Sequence, residues 1–251
     1  MELLIKAFNL ILYQPFFNAL ILLYQYLPGR DLGIAVIVLT VLIRIILYPL
    51  MAQAIRSQKV MAELQPKMQE IQERFKNDRE KQAKEMMVLY QKEKINPLGG
   101  CLPLLIQMPI LLALFRVFMS FKDGLGVAQS AVLYSFVPFA NIPEEPMFLG
   151  LVNLAQPSLI LAVLAGICQF VQARAVSPKS KKVKTSDQMA KFSGMMQKQM
   201  LYFFPVFIFF ILLRLPAAIG LYWLVTSLFS IGQQYLIFAR RSPASSDQFS
   251  R

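Results

Sequence analysis

The sequence predicts an all-α polytopic membrane protein. It has five transmembrane helices, an N-terminal interfacial amphipathic segment and a cytosolic antiparallel helical hairpin. Three observations predict it. The 251 residues are 56% hydrophobic with mean hydropathy +0.50, and the apolar residues fall in long blocks. One of these blocks carries a lone arginine, Arg44, at its middle. The basic residues gather on alternate connections between the blocks.

Residues 1–31 are apolar but broken by Lys6, Asn9, Gln14-Pro15, Asn18 and Gln25. Pro15 interrupts a continuous helix. The recurring polar positions fit an amphipathic helix, or a helix pair, lying in the interface. A spanning helix and a removed signal remain the alternatives, although no small-x-small cleavage site follows the apolar part.

Residues 32–55 form the first span. Apart from Arg44 nothing charged lies between Asp31 and Arg56. A bilayer core of about 30 Å needs about 20 mostly apolar residues. Arg44 lies 13 residues after Asp31 and 12 before Arg56. At a rise of about 1.5 Å per residue it is roughly 18–20 Å from either flank. A charge there costs about 2.5–3.5 kcal/mol on insertion scales, so something in the fold must make it tolerable.

Residues 56–95 change character, with ten Lys/Arg and seven Asp/Glu from Arg56 to Lys94. Val60, Leu64, Met68, Ile71 and Phe75 recur at helical spacing, with Pro66 interrupting that helix or setting its start. Asn77-Asp78 is a turn signal. Ala83, Met86, Met87 and Tyr90 form a second stripe. The pattern is a helical hairpin in water with a narrow seam. A partner then docks on its exposed faces or its tip.

Residues 97–121 form the second span, with Pro103, Gln107, Pro109 and, near the far end, Arg116, which can snorkel. Residues 122–155 are an extracytoplasmic loop with one basic residue and several aromatics. Residues 156–173 form the third span, with Gln169 near its end. Residues 174–198 are a basic cytosolic loop. Residues 199–213 and 217–239 form the fourth and fifth spans, and 240–251 a short cytosolic tail. The segments 56–94, 174–198 and 240–251 hold 20 Lys/Arg, against four on the opposite connections. The N-terminus is therefore expected outside and the C-terminus in the cytosol.

Net charge is +12. A soluble chain with that balance would suggest nucleic acid, but here topology accounts for the charge and no DNA partner is expected. The chain has no His, which removes the commonest general base and metal ligand. Cys101 and Cys168 sit in apolar context without a paired motif and read as small buried hydrophobes. No Ser-His or Cys-His arrangement, phosphate loop or metal cluster is present in the sequence. We expect no enzyme, no catalytic residue, no cofactor and no metal.

None of the fourteen Asp/Glu falls within a predicted span. Arg44 is then hydrated in a cavity, waits for a partner from another chain, or caps carbonyls freed by nearby prolines. Thr40, Gln107, Gln169, Trp223, Thr226, Ser227, Ser230 and Gln233 are the candidate polar lining. A proton-coupled transporter usually shows intramembrane carboxylates or His.

The residues Ile43-Arg44 to Tyr48-Pro49-Leu50, Leu64-Gln65-Pro66-Lys67, Glu85-Met86-Met87, the run from Asn96-Pro97-Leu98-Gly99-Gly100-Cys101 to Leu105-Ile106-Gln107-Met108-Pro109, and Gly220-Leu221-Tyr222-Trp223 to Gln233-Gln234 carry a resemblance. The chain resembles the YidC-type membrane protein insertases, a family shared by bacteria, mitochondria and chloroplasts. The resemblance covers nearly the whole chain. It implies five spans around a water-filled groove, open to cytosol and lipid and closed to the outside, with Arg44 as the groove arginine. It implies that the 56–94 hairpin receives substrate, with Arg56, Lys59, Lys67, Arg74, Lys76 and Arg79 as the basic positions there. The implied location is the bacterial cell membrane. The implied partners are nascent membrane proteins and the lipid bilayer, with the Sec translocon, signal recognition machinery and ribosome beyond them. The expectation is a short form, without the large periplasmic domain, lipoprotein cysteine or long basic tail of other members.

The expected function is insertion and folding of integral membrane proteins, alone or with the translocon. Arg44 attracts an acidic or polar tail, and apolar segments leave sideways into lipid, driven by their own burial. A small-solute channel or transporter and a passive assembly scaffold are the alternatives.

Overall fold

The computed structural model describes residues 2–93, 102–122, 132–138, 145–177 and 199–239. The start of the Asn96–Pro109 run, most of the basic loop after Ser177 and the tail from Arg240 lie outside the described residues. The chain divides into two compact units.

The first unit comprises residues 1–47, 104–169 and 206–229. It opens on a run that is helical from Glu2 to Tyr26: α1 (Glu2–Phe8), a π-helical turn (Asn9–Tyr13) and α2 (Gln14–Tyr26). The sequence led us to expect an interruption at Pro15. The structure keeps the run helical through the proline, which stands in the first turn of α2 directly after the π turn. Leu3, Leu4, Ile5, Leu10 and Ile11 are exposed, whereas Phe17, Leu20 and Ile21 are fully buried. α2 packs on α3 (Leu32–Ile46).

The polar residues of this segment are its tie points. Asn9 Oδ1 accepts from Arg116. The side chains of Gln14 and Asn18 both donate to the Val132 carbonyl, and Asn18 Oδ1 accepts the Tyr134 N–H at 2.7 Å. Gln25 reaches the Pro138 carbonyl. Asn18 is only 1% exposed. Its bonds satisfy it where an unpaired amide would cost about 1–3 kcal/mol.

Asp31 caps α3. One carboxylate oxygen accepts the Ile34 N–H at 2.9 Å, and the other accepts the Leu149 N–H at 2.5 Å. Leu149 belongs to a tight hairpin, β1 (Met147–Phe148) and β2 (Val152–Asn153), that turns through Leu149 and Gly150 at positive φ. Phe148 lies on Gly33 so closely that a Cβ there would sit 2.2 Å from the ring. The stretch after the hairpin serves another helix start: the Leu154 and Gln156 carbonyls accept the Ala218 and Ala217 N–H groups at the start of α9 (Ala217–Ala239).

α6 (Leu102–Lys122) contributes Ala113, Leu114 and Val117 to the core. α7 (Leu159–Val176) contributes Leu161, Ala162 and Ala165. A Cβ at Gly220 of α9 would lie 3.3 Å from Leu161 Cβ, so the glycine lets these two helices approach closely there. α8 (Phe204–Leu212) follows a π turn over Gln199–Phe203.

The second unit comprises residues 48–103, 170–205 and 230–251. α4 runs unbroken from Tyr48 to Arg74, with Pro66 inside it. The helix runs on past Arg56, and a break falls at Leu47, two residues before Pro49, which has no N–H to continue α3. A Pro66 exposed on one side is tolerated as a local loss of one bond. α5 (Arg79–Lys92) packs back on α4. Asp78 caps α5 through the Lys81 N–H at 3.0 Å. The seam uses Leu64, Gln72, Gln82, Met86 and Tyr90: Gln82 donates to the Gln72 carbonyl at 3.2 Å. Ala83 and Met87, expected in the seam, are exposed. The helix is rotated so that Gln82 faces α4, because its amide can satisfy a carbonyl there.

By length and composition α1–α2 (Glu2–Tyr26, mean hydropathy 1.4) and α7 (mean hydropathy 1.9) can each cross a membrane. α3 with α4 makes a third when the bent pair counts as one span.

Candidate functional site

Thr40 and Arg44 share one face of α3, four residues apart. Both are buried, Arg44 at 7% exposure. The Thr40 hydroxyl donates to the Val36 carbonyl at 2.6 Å and is satisfied within its own helix. Arg44 Nη2 donates to Gln107 Oε1 on α6 at 2.7 Å. Gln107 Nε2 in turn donates to the hydroxyl oxygen of Tyr222 on α9. A guanidinium has donors only, so it dictates which end of the Gln107 amide faces it. The other end is left as a donor, and Tyr222 accepts from it. Three helices are joined by this chain of side chains.

A second polar set adjoins Tyr222 along α9. Gln169 Oε1 on α7 accepts from Trp223 Nε1 at 2.9 Å and from the Ser227 hydroxyl at 3.4 Å. Trp223 and Ser227 are four apart, as are Tyr222 and Thr226, so α9 presents two parallel polar rows. Ser230 and Gln233 belong to the second unit. There Gln233 Nε2 donates to the Tyr48 carbonyl at 3.1 Å, bracing the start of α4.

The structure thus joins Arg44 to Gln107, and Gln169 to Trp223 and Ser227. It gives Thr40 a local role and Gln233 a bracing one. Tyr222 was missed as a site residue. Its signal was position: it is four residues before Thr226 and next to Trp223. Among the described residues no carboxylate lies within ion-pair distance of Arg44. The set contains no nucleophile paired with a base. It can hold a cation in place and offer donors to an acceptor.

In the hairpin, Lys67 pairs with Glu93 at 2.8 Å. Lys59 lies 4.6 Å over the Phe238 ring, and Arg74 stacks on Phe75. Arg56, Lys76 and Arg79 are exposed. Burial pushes the Tyr90 hydroxyl above its ordinary pKa.

Residues 22–244 match the family described as 60Kd inner membrane protein. The chain belongs to that family. The chain is similar to proteins named membrane protein insertase YidC: it is 34% identical to the one from Geobacter sulfurreducens over 92% of this chain and 39% of that one. For Fusobacterium nucleatum the figures are 37% identity, 84% and 87%. For Haemophilus influenzae they are 37%, 82% and 33%. The chain therefore spans well under half the length of the Geobacter and Haemophilus relatives and most of the Fusobacterium one.

Proposed function

We propose that this chain is a membrane protein insertase. It receives nascent membrane proteins from the cytosol, shelters their polar parts in a hydrated groove, and releases their apolar parts into the bilayer. Membership of the family and the names of the relatives support this reading. The observation that carries the mechanism is the acceptor on Arg44: an amide positions the guanidinium without neutralising it. The positive charge stays available to an acidic or polar tail. Burial of some 20 apolar residues then drives release into lipid without nucleotide.

In this proposal five spans surround the groove, with the N-terminus outside and the C-terminus in the cytosol. Cysteines placed at Ser180 and Ser246 react from the cytosolic side and one at Asn141 from outside; cytosolic labelling of Asn141 would overturn the topology. The α4–α5 hairpin receives substrate. Deleting Glu63 to Glu85 leaves a stable membrane protein with reduced insertion, and failure to accumulate would remove support for that role. The Sec translocon, signal recognition machinery and ribosome are further proposed partners.

The deciding experiment is reconstituted insertion of one substrate whose translocated tail carries Asp or Asn at the same positions. Arg44→Leu costs Gln107 a donor, about 1 kcal/mol, and relieves the burial of an unpaired cation, so the protein stays folded. Insertion of the Asp tail falls more than that of the Asn tail, and Arg44→Lys keeps part of the activity. Equal loss for both tails would sink the electrostatic role.

A further inference from the structure

Arg116 of α6 sits apart from the groove network, on the far side of its helix ladder from Gln107 by position and near the Lys122 end. It is exposed, yet it is held in place. Nη1 donates to Asn9 Oδ1 at 2.7 Å, and the guanidinium lies 4.7 Å from the centre of the Tyr13 ring. Both partners stand at the ends of the π turn, Asn9–Tyr13. A π turn shifts the side chains after it relative to an α-helix, and such turns are frequent at binding sites. Asn9 and Tyr13, four residues apart, meet the same guanidinium.

Neither partner neutralises the charge. Among the described residues no carboxylate lies within ion-pair distance of Arg116. One N–H is used by Asn9, which leaves further donors of the fork open. Beside the guanidinium is a shallow surface cavity, wide open on one side, of about 430 Å³, lined by Phe8, Leu112, Phe115, Arg116 and Met119. Apart from Arg116 every one of these side chains is apolar. Leu112, in its lining, is exposed, and so are Leu3, Leu4, Ile5, Leu10 and Ile11 on either side of Phe8 in sequence, all suited to lipid rather than water.

We propose that this is a binding site for one anionic glycerophospholipid. One acyl chain lies in the cavity against Phe8, Leu112, Phe115 and Met119, and the phosphate sits on the free N–H groups of Arg116. The charge argues for the occupant. A fixed guanidinium with no acidic partner favours a headgroup with net negative charge, and its planar fork fits phosphate oxygens. A zwitterionic headgroup brings an ammonium that gains nothing here. The cavity walls argue against a free anion, because they offer it no second polar contact. Arg116 lies six residues from the end of α6, roughly 9 Å along the axis. That depth suits a lipid phosphate drawn slightly inward by a snorkelling side chain. The consequence is structural: the lipid ties α1 to α6 and holds the N-terminal segment on the bundle. This goes beyond insertion, since the site contains none of the groove residues.

Native mass spectrometry of the purified full chain, titrated with lipid, tests it. Phosphatidylglycerol should bind in preference to phosphatidylcholine of the same chains. Arg116→Gln should weaken phosphatidylglycerol binding by about tenfold, the scale of one charge-assisted bond, and erase the headgroup preference. Arg116→Lys should keep the preference in part. Leu112→Trp fills the cavity from its exposed face and should weaken both lipids, with melting of the lipid-free protein unchanged; it keeps the test decisive even where Arg116→Gln folds poorly. Equal binding of the two lipids by the unaltered protein would overturn the proposal. So would a preference that survives Arg116→Gln, or displacement of the lipid by inorganic phosphate alone.

Discussion

The Arg44 guanidinium donates to the Gln107 side-chain oxygen at 2.7 Å, so the buried cation of α3 rests on a neutral amide. The amide is fixed from its other end by Tyr222. Position and charge are thereby separable, and substitution at Gln107 separates them. Gln107→Leu leaves Arg44 without its acceptor and should lower stability by about 1–3 kcal/mol. Gln107→Glu keeps the acceptor that faces Arg44, turns the Tyr222 hydroxyl from acceptor to donor, and adds a negative charge. It should preserve the melting temperature but, on the proposed function, depress insertion of acidic tails, because the Arg44 charge is neutralised. Melting and reconstituted insertion on the same samples check both. Full activity of Gln107→Glu would show that the cation does not act electrostatically.

Asp31 holds two segments with one carboxylate, the first turn of α3 and the turn of the β1–β2 hairpin. Asp31→Ala should cost about 1–2 kcal/mol, the usual scale of a lost helix cap. The Ile34 and Leu149 amides should both exchange faster with deuterium. Faster exchange at Ile34 alone would mean that the hairpin is held by Phe148 instead.

Gly33 and Phe148 are complementary in volume. A Cβ at residue 33 meets the Phe148 ring at 2.2 Å, well inside contact distance. Gly33→Val should therefore destabilise by about 1–3 kcal/mol as overpacking. Phe148→Ala should relieve most of that, giving a strong coupling in a double-mutant cycle. Additive effects would place the strain elsewhere.

The tip of the α4–α5 hairpin carries a pH dependence. The backbone N–H of Lys81 holds the Asp78 carboxylate below its ordinary pKa, and the Lys81 side chain adds to that. A depressed carboxylate stabilises the folded cap above its unfolded pKa. That contribution is lost as pH falls below about 4 and through the depressed value. Amide exchange in the first turn of α5 should rise over that window, and Asp78→Asn should flatten the response. A rise of the same size in Asp78→Asn would assign it to another group.

Apolar blocks, the basic bias of alternate connections and the lone Arg44 were legible in the sequence, because hydropathy and charge depend on composition over about 20 residues and not on neighbours in space. The hairpin was legible from period, but not its rotation. Gln82 rather than Ala83 faces α4, and that choice rests on whether an amide meets a carbonyl across the seam. The helix break at Leu47 had a local signal in Pro49 that the sequence reading did not use.

What the sequence by itself determined is which residues are polar in apolar surroundings: Asn9, Asn18, Arg44, Gln107, Gln169, Tyr222. Each is costly to bury alone, so each had to find a partner. Which partner was decided only by tertiary structure. Gln107 lies 63 residues from Arg44 and 115 from Tyr222, and Asn18 lies 116 from Tyr134. No periodicity within one helix can report such a pairing. It depends on where packed helices bring donors and acceptors within about 3 Å of each other.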